Sequence, residues 1–230
     1  KMYAEDMEVK MGRTPHRLYL FNHAPNTGAE VVFYQGKNNN NAYVHPNKFP
    51  WVNLNLDPNG SVLMENQHHS MYYMGFDWLA SVVSYNLKKY PGEIDKNLVN
   101  DGSISWNGYD CYKITINNPK FSYINYTVGA GESLESISKK NFISEYMIQE
   151  NNPKAPSGFK ETIKAGTVLK IPSDYAKKTI LYIDKKTMLP VGQFVSDDKG
   201  LFEQYEFHNL QVNPVIKEEE FSSSYKEYKF

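Results

Sequence analysis

The sequence predicts an α+β protein built on antiparallel sheet, and three observations carry that expectation. Short segments with alternating apolar and polar residues recur in the first sixty or so positions and again beyond residue 177. Rings are abundant, with 18 Tyr, 12 Phe and 3 Trp, and such side chains favour half-buried pleated surfaces. One stretch, 64–90, changes its apolar spacing from two to three or four, as a helix laid on a sheet requires.

Taken in order, residues 7–11, 17–21, 30–35, 41–45 and 51–56 read as successive strands. Turn formers separate them: Ala24-Pro25-Asn26-Thr27-Gly28, then Gln35-Gly36-Lys37 with four Asn behind it, then Asp57-Pro58-Asn59-Gly60. The Asn run at 38–41 is read as an exposed hairpin loop. Phe76, Leu79, Ala80, Val83 and Leu87 form one helical face, with Asp77 as the expected cap and Pro91-Gly92 as the stop. Residues 108–118 return to strand, with Cys111, Lys113 and Thr115 on one side and Tyr112, Ile114 and Ile116 on the other. Strands follow at 178–184, 190–196 and 201–212, the last two joined by Asp197-Asp198-Lys199-Gly200. These late strands are expected to continue the first sheet, which makes the middle of the chain an insertion.

A chain of 230 residues and 26.6 kDa has room for one large domain or two small ones. Lys and Arg number 25 against 26 Asp and Glu, a formal charge of −1, so no global field gathers a phosphate backbone and nucleic acid is excluded as a partner. No run approaches the roughly 20 apolar residues of a bilayer span. The opening Lys1-Met2-Tyr3-Ala4-Glu5-Asp6 lacks the apolar centre of a signal peptide, so any leader is expected to lie outside the sequence. Cys111 stands alone, which excludes a disulfide framework and a thiolate zinc cluster but leaves the redox compartment open.

Residues 126–172 have distinctive content. Tyr126-Thr127-Val128 forms a strand, Gly131 permits the turn out of it, and Glu132 and Ser133 supply charge and hydrogen-bond acceptors at a helix start. Leu134 and Ile137 face one side, Lys139 and Lys140 the other, and Phe142 and Ile148 add apolar positions. Asn151-Asn152-Pro153 stops a second helix, and Ile163, Gly166, Leu169 and Ile171-Pro172 complete a strand, helix, helix, strand unit. In this order the positions resemble a LysM module, with Ser138 standing where the family usually has alanine and 154–162 longer than its usual loop. The resemblance implies a shallow groove for N-acetylglucosamine units between the two loops. Its contacts would be Gly131, Glu132, Ser133 and Leu134 with Asn151, Asn152, Pro153 and Lys154. The alternative is a degenerate spacer inside its host.

With that unit set aside, the strand Ile180-Leu181-Tyr182-Ile183 leads into Asp184-Lys185-Lys186-Thr187-Met188-Leu189-Pro190, and a second strand and an Asp-x-x-Gly hairpin follow. The phrase resembles bacterial lipoprotein carriers of the LolA and LolB type and an uncharacterised secreted family related to them. The resemblance implies a curved antiparallel half-barrel covered by helix, whose hollow takes acyl chains in the carriers. An apolar-ligand pocket would then be lined by Leu18, Leu20, Val32, Tyr34, Leu54 and Leu56 on strands and by Phe76, Leu79 and Val83 on the helix. The same residues serve equally as a filled core. The expected domains are 1–124 with 174–230 for the half-barrel, and 125–173 for the LysM module. The expected place is the periplasm, outer membrane or exterior of a Gram-negative bacterium.

No metalloprotease His pair, nucleophile elbow or phosphate loop occurs. Cys111 lies within a strand, away from any helix start that would activate it. His68 and His69 are adjacent, a poor geometry for one metal, and no cofactor is expected. Carboxylates such as Glu65, Asp77, Glu93 and Asp101 leave a glycoside hydrolase as a lesser alternative. The expectation is a non-enzymatic envelope protein that binds peptidoglycan or a related glycan, with a lipid or lipoprotein acyl chain as the alternative ligand. The acidic stretch 217–220 is read as solvated.

Overall fold

The computed structural model describes residues 3–156 and 158–230. It is an α+β fold of curved antiparallel sheets. The chain forms two compact units, one of residues 1–75 with 213–230 and one of residues 76–212.

The first unit holds a five-stranded antiparallel meander: β1 (Asp6–Gly12), β2 (Arg17–Ala24), β3 (Glu30–Tyr34), β4 (Ala42–His45) and β5 (Leu54–Leu56). Register assigns the faces. Leu18 pairs with Phe33, Leu20 with Val31, Val31 with Val44, Val44 with Leu54, and Ala42 with Leu56, so these side chains share one face. Met71, Leu63, Tyr72 and Met74 cover that face. Tyr19, Val32 and Tyr43 pair on the other. The C-terminal segment lies there: the rings of Tyr228 and Tyr19 stack at 3.7 Å, Lys10 meets Glu220 at 2.8 Å, and Glu218 bonds Tyr34. The acidic stretch is therefore not simply solvated; Glu218 and Glu220 tie the segment to the sheet.

In the second unit a five-stranded sheet runs in the order β12 (Leu201–Glu206), β11 (Pro190–Ser196), β10 (Lys178–Asp184), β7 (Tyr109–Asn117), β6 (Leu98–Trp106). The late strands thus pair with β7 and not with the first meander. The helix α1 (Asp77–Lys89) begins after Phe76, which takes the cap position expected for Asp77. Asp77 supplies negative charge to the first turn, and Lys88 and Lys89 supply positive charge to the last, each matching the helix dipole. Val82 of α1 packs with Val195 and Tyr175, so the helix covers a face of this sheet. A short helix, α2 (Ile94–Asn97), precedes β6.

Between β7 and β10 stands a β-α-α-β unit: β8 (Tyr123–Thr127), α3 (Leu134–Asn141), α4 (Glu145–Asn151) and β9 (Val168–Pro172). The strands pair antiparallel from Tyr123↔Pro172 to Thr127↔Val168. Its two ends meet, because Ser173 N donates to Ser122 O at 2.7 Å and Asn118 N donates to Lys177 O at 2.8 Å. Val128, Leu134, Ile137, Ile143, Ile148, Ile163, Leu169 and Ile171 fill its small core.

Candidate glycan-binding loops

Two loops border the site suggested by the sequence, 128–133 before α3 and 152–162 after α4. They are laced together along the main chain. Ile163 N donates to Glu132 O at 2.8 Å, and Glu135 N donates to Phe159 O at 2.9 Å. The main-chain atoms that hold this lacing are therefore not available to a ligand.

The first loop is fixed by its own polar residues. The Glu132 carboxylate accepts from Gly129 N at 2.8 Å and from the Tyr126 hydroxyl at 2.8 Å, and pairs with Lys140 Nζ at 3.0 Å. These partners, the Gly129 amide first, hold its pKa below the usual Glu range. Ser133 caps α3: its Oγ accepts from Ser136 N at 3.2 Å while its own N donates to Ser136 Oγ at 2.8 Å. Leu134 is fully buried in the core of the unit. Gly131 is exposed at φ +76°, and a side chain there would meet open space.

At the second loop Asn152 clamps α4 to β9. Its Nδ2 donates to Ile148 O at 2.6 Å and to Lys170 O at 2.8 Å, and its Oδ1 accepts from Lys170 N at 2.9 Å. Asn151 Nδ2 donates to Met147 O at 2.8 Å. Pro153 and Lys154 are exposed. Of the eight residues anticipated, Gly131, Pro153 and Lys154 are thus open to a ligand on the adjoining loops. Glu132, Ser133, Leu134, Asn151 and Asn152 shape the loops from within.

Two residues matter that periodicity did not single out. Phe159, in the long stretch 154–162, packs edge-on against Tyr146 at 4.9 Å and supplies the carbonyl that joins the loops. Phe142, counted only as an apolar position, ends α3 in the left-handed region at φ +51° and stacks on Trp78 and Tyr85 of α1 at 5.6 and 4.8 Å. Lys199–Glu150 at 2.8 Å and Tyr123–Asp198 at 3.2 Å add further ties between the unit and the β11–β12 turn. The unusual Ser138 also has a task, since its buried hydroxyl donates to Ile143 O at 2.6 Å.

The apolar set is dispersed. Leu18, Leu20, Leu54 and Leu56 lie on the face covered by Met71, Leu63, Tyr72 and Met74. Val32 lies on the opposite face beside Tyr19, and Tyr34, two residues on, shares it and bonds Glu218. Phe76, Leu79 and Val83 belong to the other unit, where Phe76 packs on Phe207 at 5.0 Å. Apolar content alone groups these nine as one lining, whereas strand register separates them.

Among the described residues no helix is long and apolar enough to cross a membrane. A family model for the LysM domain matches residues 126–172, and these residues are a LysM module. A second model, described as protein of unknown function (DUF1571), matches residues 2–122. No curated protein matches the chain. A solved DUF1329 family protein from Desulfovibrio piger ATCC 29098 shares 11% identity at a TM-score of 0.30; the match takes in 87% of this chain and 61% of that one.

Proposed function

We propose that this chain, which belongs to the DUF1571 family of proteins of unknown function, is a non-enzymatic cell-envelope protein that binds peptidoglycan or a related N-acetylglucosamine glycan through its LysM module. The observation that carries the reading is the pair of loops held side by side by Ile163 N–Glu132 O and Glu135 N–Phe159 O, with Gly131, Pro153 and Lys154 left exposed. Main-chain groups around Gly131 and the flat ring of Pro153 suit an N-acetyl group and a pyranose face. The ties to α1 and to the β11–β12 turn involve Phe142, Glu150 and Tyr123, none of which belongs to either loop. A periplasmic or outer-surface location follows from this ligand and stands as part of the same proposal.

Sedimentation with purified peptidoglycan sacculi tests it. Gly131→Asn places a side chain in open space at a backbone conformation that Asn tolerates, so folding should persist. The expected result is a loss of about tenfold in sacculus affinity with an unchanged thermal midpoint. Wild-type affinity in both this variant and one lacking residues 123–172 would refute the proposal.

A further inference from the structure

We propose that the face of β1 to β4 opposite Leu18 and Phe33 is a peptide-binding surface, that its ligand is segment 217–230 of this chain, and that a second copy can supply the segment in place of the protein's own. The partner is thus another copy of the chain, joined by reciprocal exchange.

Strand register sets this surface out in three rows. Arg17 pairs with Tyr34; Lys10 pairs with Tyr19, and Tyr19 with Val32; Phe21 pairs with Glu8 and Glu30. The segment crosses the rows in its own sequence order. Glu218 bonds Tyr34 and lies 3.5 Å from Arg17, and the buried Phe221 ring has the Arg17 guanidinium 4.9 Å from its centre. Glu220 reaches Lys10 at 2.8 Å, and Tyr228 stacks on Tyr19. Lys229 N donates to the buried Glu30 carboxylate at 3.2 Å, and the Lys229 ammonium lies 6.0 Å from the Phe21 ring centre. Acidic residues of the segment thus fall on the basic rows, and its basic residue falls on the row of Glu8 and Glu30. Charge and ring positions together fix both the place and the direction of the bound segment.

Two features let the segment change hosts. It adds no strand to the sheet, which runs from β1 to β5, so its departure leaves every ladder whole. Residues 207–217, which lead to it, form neither helix nor strand, and Val215 is 99% exposed. A segment from a second copy makes the same contacts as the protein's own, so the closed and exchanged forms share one interface and differ in the entropy of association. The tethered segment competes at an effective concentration of about millimolar, which keeps dilute copies closed and lets crowded ones exchange. An exchanged pair carries two LysM modules and gains avidity for a polymeric glycan; that consequence rests on the glycan reading, whereas the exchange does not.

Full-length chains with reciprocal charge reversals test it, Lys10→Glu/Arg17→Glu on the sheet and Glu218→Lys/Glu220→Lys on the segment. Each variant alone repels its own segment. In an equal mixture, exchange alone restores both sets of contacts, because the reversed sheet then receives the reversed segment and the native sheet the native one. Sedimentation of the mixture, with no glycan present, should show a heterodimer about a hundredfold tighter than the self-association of the wild type, roughly tenfold from each restored interface. The milder pair, Lys10→Glu mixed with Glu220→Lys, leaves the Arg17 packing intact and should give a smaller gain of the same sign. A heterodimer in either mixture supports the exchange. If both mixtures sediment as their separate components, the proposal is overturned. Sacculus binding is measured on the same mixtures: a heterodimer that gains no sacculus affinity leaves the exchange standing and counts against the glycan reading alone.

Discussion

Phe142 joins two constraints in one side chain. It ends α3 at φ +51°, which costs about 1–2 kcal/mol for any residue but glycine, and it stacks on Trp78 and Tyr85, where each aromatic pair returns roughly 0.5–1.5 kcal/mol. Phe142→Ala keeps the backbone strain and loses the rings, so urea denaturation should show a loss of about 2–3 kcal/mol. Phe142→Gly loses the same rings but relieves the strain, and should be about 1 kcal/mol more stable than the alanine variant. Glu132 offers a pH counterpart. Its folded pKa is lowered, chiefly by the Gly129 amide and then by Tyr126 and Lys140, so the ionised group favours the folded loop at and above the ordinary Glu range. That contribution fades as pH falls through the lowered value. Thermal midpoints of the wild type and Glu132→Gln should therefore differ at neutral pH and converge in acid.

At the scale of elements, the end of α1 is pinned to the segment after β9. Asp174, 1% exposed at its side chain, meets Lys89 Nζ at 2.9 Å and accepts from the Tyr90 and Ser173 hydroxyls at 3.1 and 2.7 Å. Burial raises its pKa, but the bonds from Ser173 and Lys89 prevail and leave it lowered. Asp174→Ala should cost about 2 kcal/mol at pH 7 by chemical denaturation, with the difference shrinking below the ordinary Asp range as the native carboxylate is protonated. The existence of α1 was legible because apolar residues recur three or four apart, but the face they marked is not the packed one: Val82, Trp78 and Tyr85 make the contacts, while Ala80 and Leu87 of the expected face are exposed. β10 was legible as a short apolar run bounded by turns. β6 was not: Asp101 and Gly102 interrupt its alternation where the pairing with β7 shifts register between Asn100 and Ser103. The C-terminal segment has no period at all, and its attachment through Tyr228, Glu220 and Glu218 is visible only once β1 to β3 present their outer face. The LysM module was legible as strand, helix, helix, strand, while the internal duties of Glu132 and Asn152 were hidden because a polar residue reads alike whether it faces a ligand or its own backbone.

For the whole molecule, the paired ends of the module at Ser122 and Ser173 predict that it can be excised. A chain in which a short Gly-Asn turn replaces residues 123–172 should keep its sheet content by circular dichroism. It should also unfold at lower temperature, since the stacking on Trp78 and Tyr85 and the Lys199–Glu150 pair go with the module. A collapsed spectrum would show that the second unit folds only around it. The route of the chain has a mechanical side as well. β7 leads into the module and β10 leads out, and these strands are neighbours in the interior of their sheet, flanked by β6 and β11. A tug on a module gripped by a rigid polymer therefore reaches the host through both strands in the same direction. It is resisted in shear by the ladders on either side, and the load is not left to a lone strand at a fraying margin.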